Sequence, residues 1–478
     1  MDRQRNSSSG PERKIFCNRT LNLRSIKAVG YDMDYTLIHY RVDKWERRSF
    51  SHMRRKLATQ GWPIEELRFD PDTVQRGLII DLELGNILKA NQFGYIKRAA
   101  HGSRMLDFDT LRQTYAETVV DLAEPRFAFL NTLFSMSEAS MYAQLVDLLD
   151  ADKAPHPMGY GDLYREVRTV LDEAHIEGRL KAEIVAHPER FVDLEPEIPR
   201  TLLDQKQAGK KLFLVTNSEW PYTRSMMAYA FDRFLPAGSG WRELFDLVIV
   251  AARKPAFFLG EQPFFELASE EGLLAPVAGQ PRPGSVLHGG HAGAVEQMFG
   301  LRGSQILYVG DHAYGDVQVS KRLRRWRTAL VVRELETEIR ALEGFAEKQS
   351  ELAALMKEKV AAEKELSQLR LAIQHCRQGK ARTKEPGLRS LEKELRQRRS
   401  ALLALDDRIG PLAQANGALG NQRWGLLMAS GNDMSYFARQ VLRHADIYSS
   451  RVSNMLYESP YAFFRAHRAL MPHEGSRA

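Results

Sequence analysis

Two aspartates near the start of this chain are the first residues whose types and spacing could do chemistry. Asp32 and Asp34 come shortly after residues 25–30, a short and mostly apolar segment that predicts a buried strand. Alternate side chains of an extended segment share one face, so both carboxylates could enter one crevice. Two acidic groups in a crevice are costly unless a cation or a reaction requires them. When such an aspartate pair occurs alone in a sequence, an exposed turn that closes a strand is the commoner explanation. Residues later in the chain must therefore distinguish an exposed turn from a functional site.

Polar groups of complementary chemistry follow three later segments that are short and apolar. These groups are Thr216, Asn217 and Ser218 after residues 211–215, Lys254 after residues 245–250, and Asp311 and Asp316 after residues 305–309. Because the carboxyl ends of parallel strands lie on one edge of a sheet, these groups can converge with the first aspartate pair.

Such a set of groups is suited to phosphoryl transfer. A carboxylate can attack phosphorus and form an aspartyl-phosphate. It needs a cation to offset its repulsion from the phosphate, and Mg²⁺ suits a site made only of oxygen ligands. A lysine and small hydroxyl or amide donors hold the phosphoryl oxygens as charge builds. A second carboxylic acid protonates the leaving oxygen and later activates water.

The strands that would position these groups alternate with helical and loop segments. A fourth strand, residues 328–332, follows the last carboxylates, and the whole pattern predicts an α/β fold with a parallel sheet and crossover helices. From residue 333 to residue 409, charged residues alternate with leucine and isoleucine at helical spacing, with a glycine- and proline-containing break in the middle. This segment predicts an antiparallel helical hairpin.

Four motifs occur in a fixed order along these strands, namely D-x-D-x-T at Asp32, Asp34 and Thr36, then Thr216, then Lys254, then the Asp311/Asp316 pair. In types and order they resemble the haloacid dehalogenase superfamily of phosphohydrolases. Five longer stretches of the sequence resemble a narrower group, the cytosolic purine 5′-nucleotidases that prefer IMP and GMP. These stretches are residues 130–134 (LNTLF), 167–181 (VRTVLDEAHIEGRLK), 252–258 (ARKPAFF), 310–316 (GDHAYGD) and 471–474 (MPHE).

The resemblance implies a fold and a division of the chain. The fold is a Rossmann-like haloacid dehalogenase core with a parallel sheet, a large inserted α/β cap and an inserted antiparallel helical hairpin. The implied segments are a disordered lead-in (1–20), core with the first motif (21–45), cap (46–189), core with the remaining motifs (190–333), helical hairpin (334–410) and a C-terminal core segment (411–478).

The resemblance also implies an Mg²⁺-dependent 5′-nucleotidase that hydrolyses purine nucleoside 5′-monophosphates through an aspartyl-phosphate, which a nucleoside acceptor could also intercept. Asp32 is then the nucleophile and Asp34 the acid/base, assisted by Thr216 and Lys254. The implied metal ligands are the carboxylates of Asp32 and Asp311 and the backbone carbonyl of Asp34, with Asp316 close by.

One helical stripe in the cap segment is predicted to recognise the base. Arg168, Asp172 and His175 stand at i, i+4 and i+7, and they match the family's recognition helix together with Lys181. Arg168 can donate to the 6-oxo edge of a purine, and Asp172 can accept from its N1–H. An exposed Arg–Asp pair is the simpler alternative. The predicted substrate-binding set is completed by Phe134, which would stack on the base, and by Asn217 and Ser218.

A candidate effector site and an oligomer follow from the same resemblance. Asn131, Tyr314 and Arg322 fall where a nucleotide effector would bind near a subunit interface. Asp121 stands where a basic residue is expected, and its charge would repel phosphates. A homo-oligomer, a dimer or a tetramer, is expected.

Bulk composition narrows the class of protein. The chain has 478 residues, a formal net charge of +7 and two cysteines, without a metal-binding or disulfide spacing. No signal peptide or apolar run long enough for a membrane span is found, so a cytoplasmic protein without a membrane or nucleic-acid partner is expected. Two other functions stay open: a related phosphatase for another phosphometabolite, and a non-catalytic scaffold assembled through the hairpin.

Overall fold

The computed structural model describes residues 10–176, 178–269, 271–277, 281, 284–379 and 387–468, without the side chains of residues 174–176. The side chain of His175 and the MPHE stretch at 471–474 therefore lie outside the described residues. The described chain forms two compact units. One is Thr337–Leu426, and the other comprises the rest.

The strands are short, as expected for crossover-connected segments. In chain order they are β1 Ile15–Cys17, β2 Leu21–Asn22, β3 Ala28–Tyr31, β4 His39–Tyr40, β5 Ile79–Asp81, β6 Asn86–Ala90, β7 Ile96–His101, β8 Arg104–Met105, β9 Phe127–Phe129, β10 Val192–Asp193, β11 Lys211–Val215, β12 Leu247–Val250, β13 Phe264–Leu267, β14 Leu274–Pro276, β15 Ser285–Gly289, β16 Ile306–Gly310, β17 Arg327–Val331, β18 Ala429–Ser430, β19 Asp433–Met434, β20 Ile447–Ser449 and β21 Phe463–Phe464.

The helices range from single turns to rods of about thirty residues. In chain order they are α1 Val42–Thr59, α2 Phe108–Tyr115, α3 Met136–Asp150, α4 Tyr160–Ile176, α5 Arg179–Ala186, α6 Pro188–Phe191, α7 Glu197–Gln207, α8 Trp220–Phe231, α9 Ala256–Leu259, α10 Ala292–Phe299, α11 Val319–Arg324, α12 Leu335–Gly344, α13 Ala346–Arg377, α14 Leu388–Gly417 and α15 Tyr436–His444. A π-helical turn, Ala313–Gln318, precedes α11.

The large sheet confirms the predicted α/β core. Its strand order is β1-β20-β17-β16-β3-β11-β12-β15-β13-β14. The strands from β20 to β15 are parallel, and antiparallel strands border them on both sides. Strand β3 lies between β11 and β16, so three of the motif-bearing strands are direct neighbours, and β12 lies next to β11.

The centre of the sheet is tightly packed around β3. All four of its residues are buried. A Cβ at Gly30 would stand 2.3 Å from the ring of Phe213 on the neighbouring strand. Only a glycine permits this close approach, so the residue at this position is set by packing rather than by backbone conformation.

A second sheet lies within the segment predicted as the cap. Its order is β8-β7-β6-β5-β9, and all its pairings are antiparallel. Helices α1, α3 and α4 belong to the same segment and pack against one another. An α/β insertion therefore follows the first motif, as the fold prediction requires.

The predicted disordered lead-in, residues 1–20, is wrong for the part that the structure describes. Ile15–Cys17 forms edge strand β1, which pairs with β20 from Ile15↔Ser449 onward. The ring of Phe16 stacks on Tyr448 with centroids 5.1 Å apart. The polar composition of the first residues hid this strand, because its pairing partner lies more than four hundred residues away.

The helical hairpin is formed by α13 and α14 and lies in the unit Thr337–Leu426, which also contains most of α12. A small apolar cluster formed by Leu352, Leu355, Leu405 and Ile409 holds them together. The ion pair Arg377–Glu392, at 2.9 Å, joins the end of α13 to the start of α14, and Lys359–Asp406, at 2.6 Å, joins their middle parts, so the helices are antiparallel as predicted.

The second hairpin helix ends later than the sequence suggested. Helix α14 continues through Pro411 to Gly417, beyond the predicted boundary at residue 410. A proline removes one backbone hydrogen bond but does not always end a helix. None of the described helices combines the length and the apolar character needed to cross a bilayer.

Candidate active site

The end of β3 places the first aspartate pair at the carboxyl edge of the large sheet. The backbone N–H of Asp32 donates to the carbonyl of Val309 at 2.9 Å, so pairing with β16 continues to Asp32 itself. The chain then turns sharply, because Tyr35 adopts a left-handed conformation with φ 55°. Non-glycine residues rarely adopt this conformation, and such residues are concentrated at functional sites.

Lys254 bridges two of the predicted carboxylates. Its Nζ lies 2.7 Å from Oδ1 of Asp32 and 2.7 Å from Oδ1 of Asp316. It also donates to the hydroxyl of Tyr308 at 3.2 Å. Burial disfavours the charged ammonium, but the charges of Asp316 and Asp32 outweigh burial and hold the pKa of Lys254 well above its ordinary value.

The third carboxylate, Asp311, is buried beside the other two. A carboxylate oxygen from each of Asp32, Asp311 and Asp316 lies within 4.8 Å of the others. Burial first, and then Asp32 and Asp316, raise the pKa of Asp311 well above its ordinary value. Burial, then Asp316 and Asp34, raise the pKa of Asp32 to about 7, although Lys254 opposes the shift.

The close approach of Asp316 requires a glycine at the end of β16. A Cβ at Gly310 would stand 2.5 Å from the Cγ of Asp316. The Oδ2 of Asp316 accepts from the backbone N–H of His312 at 3.1 Å. Glycine and the π-helical turn together bring this carboxylate back against the strand from which the chain has just emerged.

The donor set fits a hard divalent cation. Within the described part of the chain, Oδ2 of Asp311 is buried and has no hydrogen-bond partner. Three carboxylates share one basic side chain, so the cluster carries an excess of negative charge in a water-poor place. Carboxylate oxygens with room for water and phosphate are the ligands that Mg²⁺ prefers.

Asp34 has a different environment from the cluster. Its Oδ1 accepts from the hydroxyl of Tyr40 at 2.6 Å, and its Oδ2 accepts from the hydroxyl of Ser218 at 2.8 Å. Tyr222 donates in turn to Tyr40 at 2.9 Å. Lys181 donates to Ser218 at 3.1 Å, so the cap segment reaches the second motif through this residue. Two hydroxyl donors therefore fix the orientation of this carboxylate.

The residues after β11 are held by local hydrogen bonds. The backbone N–H of Ser218 donates to Oγ1 of Thr216 at 3.0 Å. Asn217 and Lys254 bond reciprocally, since the backbone N–H of Lys254 donates to Oδ1 at 2.6 Å and Nδ2 donates to the lysine carbonyl at 3.1 Å. The second and third motifs are thus tied to each other.

A cleft of about 280 Å³ opens beside Asp34. Its lining residues are Asp34, Trp45, Thr132, Phe134, Ser135, Glu138, Arg168, Leu171, Asp172, Lys181, Asn217 and Ser218. Every residue of the predicted substrate-binding set with a described side chain is among them. His175 lies on α4, but its side chain is outside the described residues. The ring of Phe134 meets Tyr35 edge-on with centroids 4.7 Å apart.

Several residues that contact this site were missed by the sequence reasoning, among them Glu138, Tyr40 and Arg76. Glu138, on α3, accepts from Arg168 on α4 at 3.1 Å, a contact between two helices that no local spacing indicates. Tyr40 donates to Asp34. Arg76 is buried and donates from Nη1 to the carbonyl of Asp311 at 3.3 Å, across 235 residues, so no local pattern points to it.

The predicted effector residues Asn131, Tyr314 and Arg322 line one separate cavity of about 660 Å³. Asp121 lines it as well, together with Arg443. Tyr314 belongs to the same π-helical turn as Asp316. The structure thus brings the three residues together, and their role as an effector site stays a prediction.

The sequence of this chain is similar to those of 5′-nucleotidase proteins. The 5′ nucleotidase family matches residues 15–476. A 5′-nucleotidase domain-containing protein of Dictyostelium discoideum is 27% identical over 471 residues, which cover 96% of this chain and 74% of that protein.

Two solved structures can be aligned with this protein, and each alignment covers 64% of this chain and 86% of the chain in the solved structure. A β-phosphoglucomutase from Pyrococcus sp. is 12% identical with a TM-score of 0.31. A predicted phosphoglycolate phosphatase from Haemophilus somnus is 14% identical with a TM-score of 0.27. These TM-scores are low, so the fold assignment rests on the strand order given above.

Proposed function

The chain belongs to the 5′ nucleotidase family, and from that premise we propose that it is an Mg²⁺-dependent phosphoric monoester hydrolase acting on the purine nucleoside 5′-monophosphates IMP and GMP. One observation carries this proposal. The carboxylate and lysine cluster of the four motifs stands beside a cleft that contains both Asp34 and the predicted base-reading residues.

The reaction uses the two aspartates in turn. A carboxylate oxygen of Asp32 attacks phosphorus, the bond from phosphorus to the 5′ oxygen breaks, and Asp34 gives its proton to that oxygen. The nucleoside then leaves. Asp34 next takes a proton from water, and the resulting hydroxide attacks phosphorus, which releases phosphate and restores Asp32. The hydroxyls of Tyr40 and Ser218 keep Asp34 oriented for both transfers.

The carboxylates of Asp32 and Asp311 and the backbone carbonyl of Asp34 would hold Mg²⁺. When bound, the cation offsets the repulsion between these carboxylates and the phosphate and stabilises charge on the phosphoryl oxygens. Asp316 acts on Lys254, which it holds at 2.7 Å and keeps charged. Lys254 and the Thr216 hydroxyl then donate to the phosphoryl oxygens.

Base recognition follows from donor and acceptor types. Arg168 donates to the 6-oxo group, Asp172 accepts from N1–H, and Phe134 stacks on the ring. Adenine carries an amino group at position 6 and an unprotonated N1. Both partners would therefore lose their bonds to AMP, and a site built to hydrogen-bond one edge rejects analogues that leave its polar groups unpaired.

A substrate screen tests the proposal. We expect kcat/KM for IMP and GMP to exceed that for AMP and pyrimidine nucleotides by at least about tenfold, which needs only about 1.4 kcal/mol of discrimination. The measurement is phosphate release from each nucleotide with Mg²⁺ present. Equal kcat/KM values for AMP and IMP would refute the base preference while leaving the hydrolase assignment standing.

Truncation of Arg168 tests the base-reading role itself. Arg168→Ala is expected to lower kcat/KM for IMP by about tenfold or more, because the bond to the 6-oxo group is lost. It should leave p-nitrophenyl phosphate, which has no base edge, within about twofold of wild type. Equal losses on the two substrates would place Arg168 at the phosphate or in the scaffold.

A further inference from the structure

Glu138 is a fully buried carboxylate that lines the substrate cleft. It lies in the first turn of α3, where the partial positive charge of the helix terminus favours an anion. Its Oε1 and Oε2 accept from Nη1 of Arg168 at 3.3 and 3.1 Å. A buried carboxylate is unfavourable unless it is paired, so the stability of this arrangement depends on the arginine.

Arg168 has two carboxylate partners, the buried Glu138 and the solvent-exposed Asp172. Its side chain is 51% exposed, and its Nε lies 3.7 Å from Oδ2 of Asp172, which is 56% exposed. An exposed pair at this distance competes with water and orients its members weakly. The side chain of Glu138 is 0% exposed, so its hydrogen bonds to the guanidinium have no such competition. Glu138 therefore sets the direction of the guanidinium more strongly than Asp172 does.

A third residue belongs to the same arrangement. Tyr164 lies one turn before Arg168 on α4. Burial, then the charge of Glu138, raise the pKa of its hydroxyl, so Tyr164 stays neutral beside the pair. The acidic and basic residues that line the cleft are Asp34, Glu138, Asp172, Arg168 and Lys181, so the carboxyl groups outnumber the basic side chains by one. Such a balance favours a base edge that presents an N–H donor.

We propose that Glu138 is a positioning residue for base selection, a role that rests on the proposed function. It holds the Arg168 guanidinium toward the 6-oxo group and leaves the more exposed Asp172 available for N1–H. Without it, the arginine samples other rotamers and pairs with Asp172, and both base contacts weaken together. Glu138 does not touch the phosphate, so its effect depends on the base.

The test is a double-mutant cycle with two substrates. Glu138→Gln keeps the size of the side chain and removes its charge, and we expect kcat/KM for IMP to fall about tenfold. The IMP over AMP ratio should fall with it, while p-nitrophenyl phosphate stays within about twofold of wild type. In an Arg168→Ala background, adding Glu138→Gln should change IMP turnover by less than about twofold, because the residue to be positioned is absent.

Two further variants separate positioning from folding. Glu173→Gln removes another carboxylate of α4, one that pairs with Lys56 at 2.9 Å outside the cleft, and it should leave all substrates unchanged. Glu138→Asp keeps the charge at the start of α3 but shortens its reach, and it should lower IMP turnover by an intermediate amount. If Glu138→Gln does not fold, Glu138→Asp tests the positioning role in its place. The thermal midpoint of each variant is measured to show that it is folded.

The outcomes distinguish the inference from its premise. Equal losses on IMP and p-nitrophenyl phosphate in the Glu138 variants, no loss on either, or full additivity with Arg168→Ala would overturn the positioning role and leave base reading by Arg168 intact. If Arg168→Ala itself affects both substrates equally, base reading fails, and the role of Glu138 fails with it.

Discussion

Asp32→Asn is expected to abolish phosphate release while the protein stays folded. An amide cannot serve as the nucleophile, and loss of a covalent nucleophile typically costs on the order of 10⁴-fold or more in rate. The fold should survive, because Lys254 keeps Asp316 as an ion-pair partner at 2.7 Å. The substitution also removes a charge whose burial is unfavourable, as the raised pKa of Asp32 shows.

Phosphate release from IMP and the thermal midpoint of the same sample are the two measurements. Asp193→Asn is a suitable control, since Asp193 forms a half-exposed pair with Arg41 at 3.0 Å and should leave the rate unchanged. A folded Asp32→Asn protein that releases phosphate at the wild-type rate would show that another group attacks phosphorus.

Removal of the metal, or of Asp311, should have the second-largest effect. Chelation of the wild-type protein is expected to remove activity, and Mg²⁺ should restore it. Asp311→Asn should lower kcat by at least about 100-fold, because the charge on the phosphoryl oxygens is no longer offset. The same substitution should stabilise the metal-free protein, since burial and two neighbouring carboxylates make the Asp311 charge unfavourable there.

Thermal unfolding with and without Mg²⁺ provides a readout that does not depend on turnover. A ligand that binds only the folded state stabilises it in proportion to the logarithm of its concentration over Kd. Mg²⁺ should therefore raise the Tm of the wild type more than that of Asp311→Asn. Full activity in chelator, or equal Mg²⁺-dependent shifts in both proteins, would contradict the assigned metal site.

The sequence by itself was sufficient for the fold class and for the order of the motif-bearing strands along the chain, but not for their order in the sheet. Each of these strands is short and apolar and ends in polar residues, a pattern that parallel strands with crossovers produce. Parallel strands share one carboxyl edge, so the groups after β3, β11, β12 and β16 had to lie near one another. The helical spacing of Arg168 and Asp172 likewise predicts one face, because both residues belong to the same helix.

Only the tertiary structure showed which distant residues form hydrogen bonds with these site residues. Glu138 meets Arg168 from another helix, Arg76 reaches Asp311 across 235 residues, and Ser218 meets Asp34 across 184. Strand β1 finds β20 near the other end of the chain. The periodicity of a sequence shows on which face of its own helix or strand a residue lies. It does not show which distant helix or strand packs against that face. Such contacts form only when the whole core is assembled, and therefore the partner of Arg168 could not be read from the sequence.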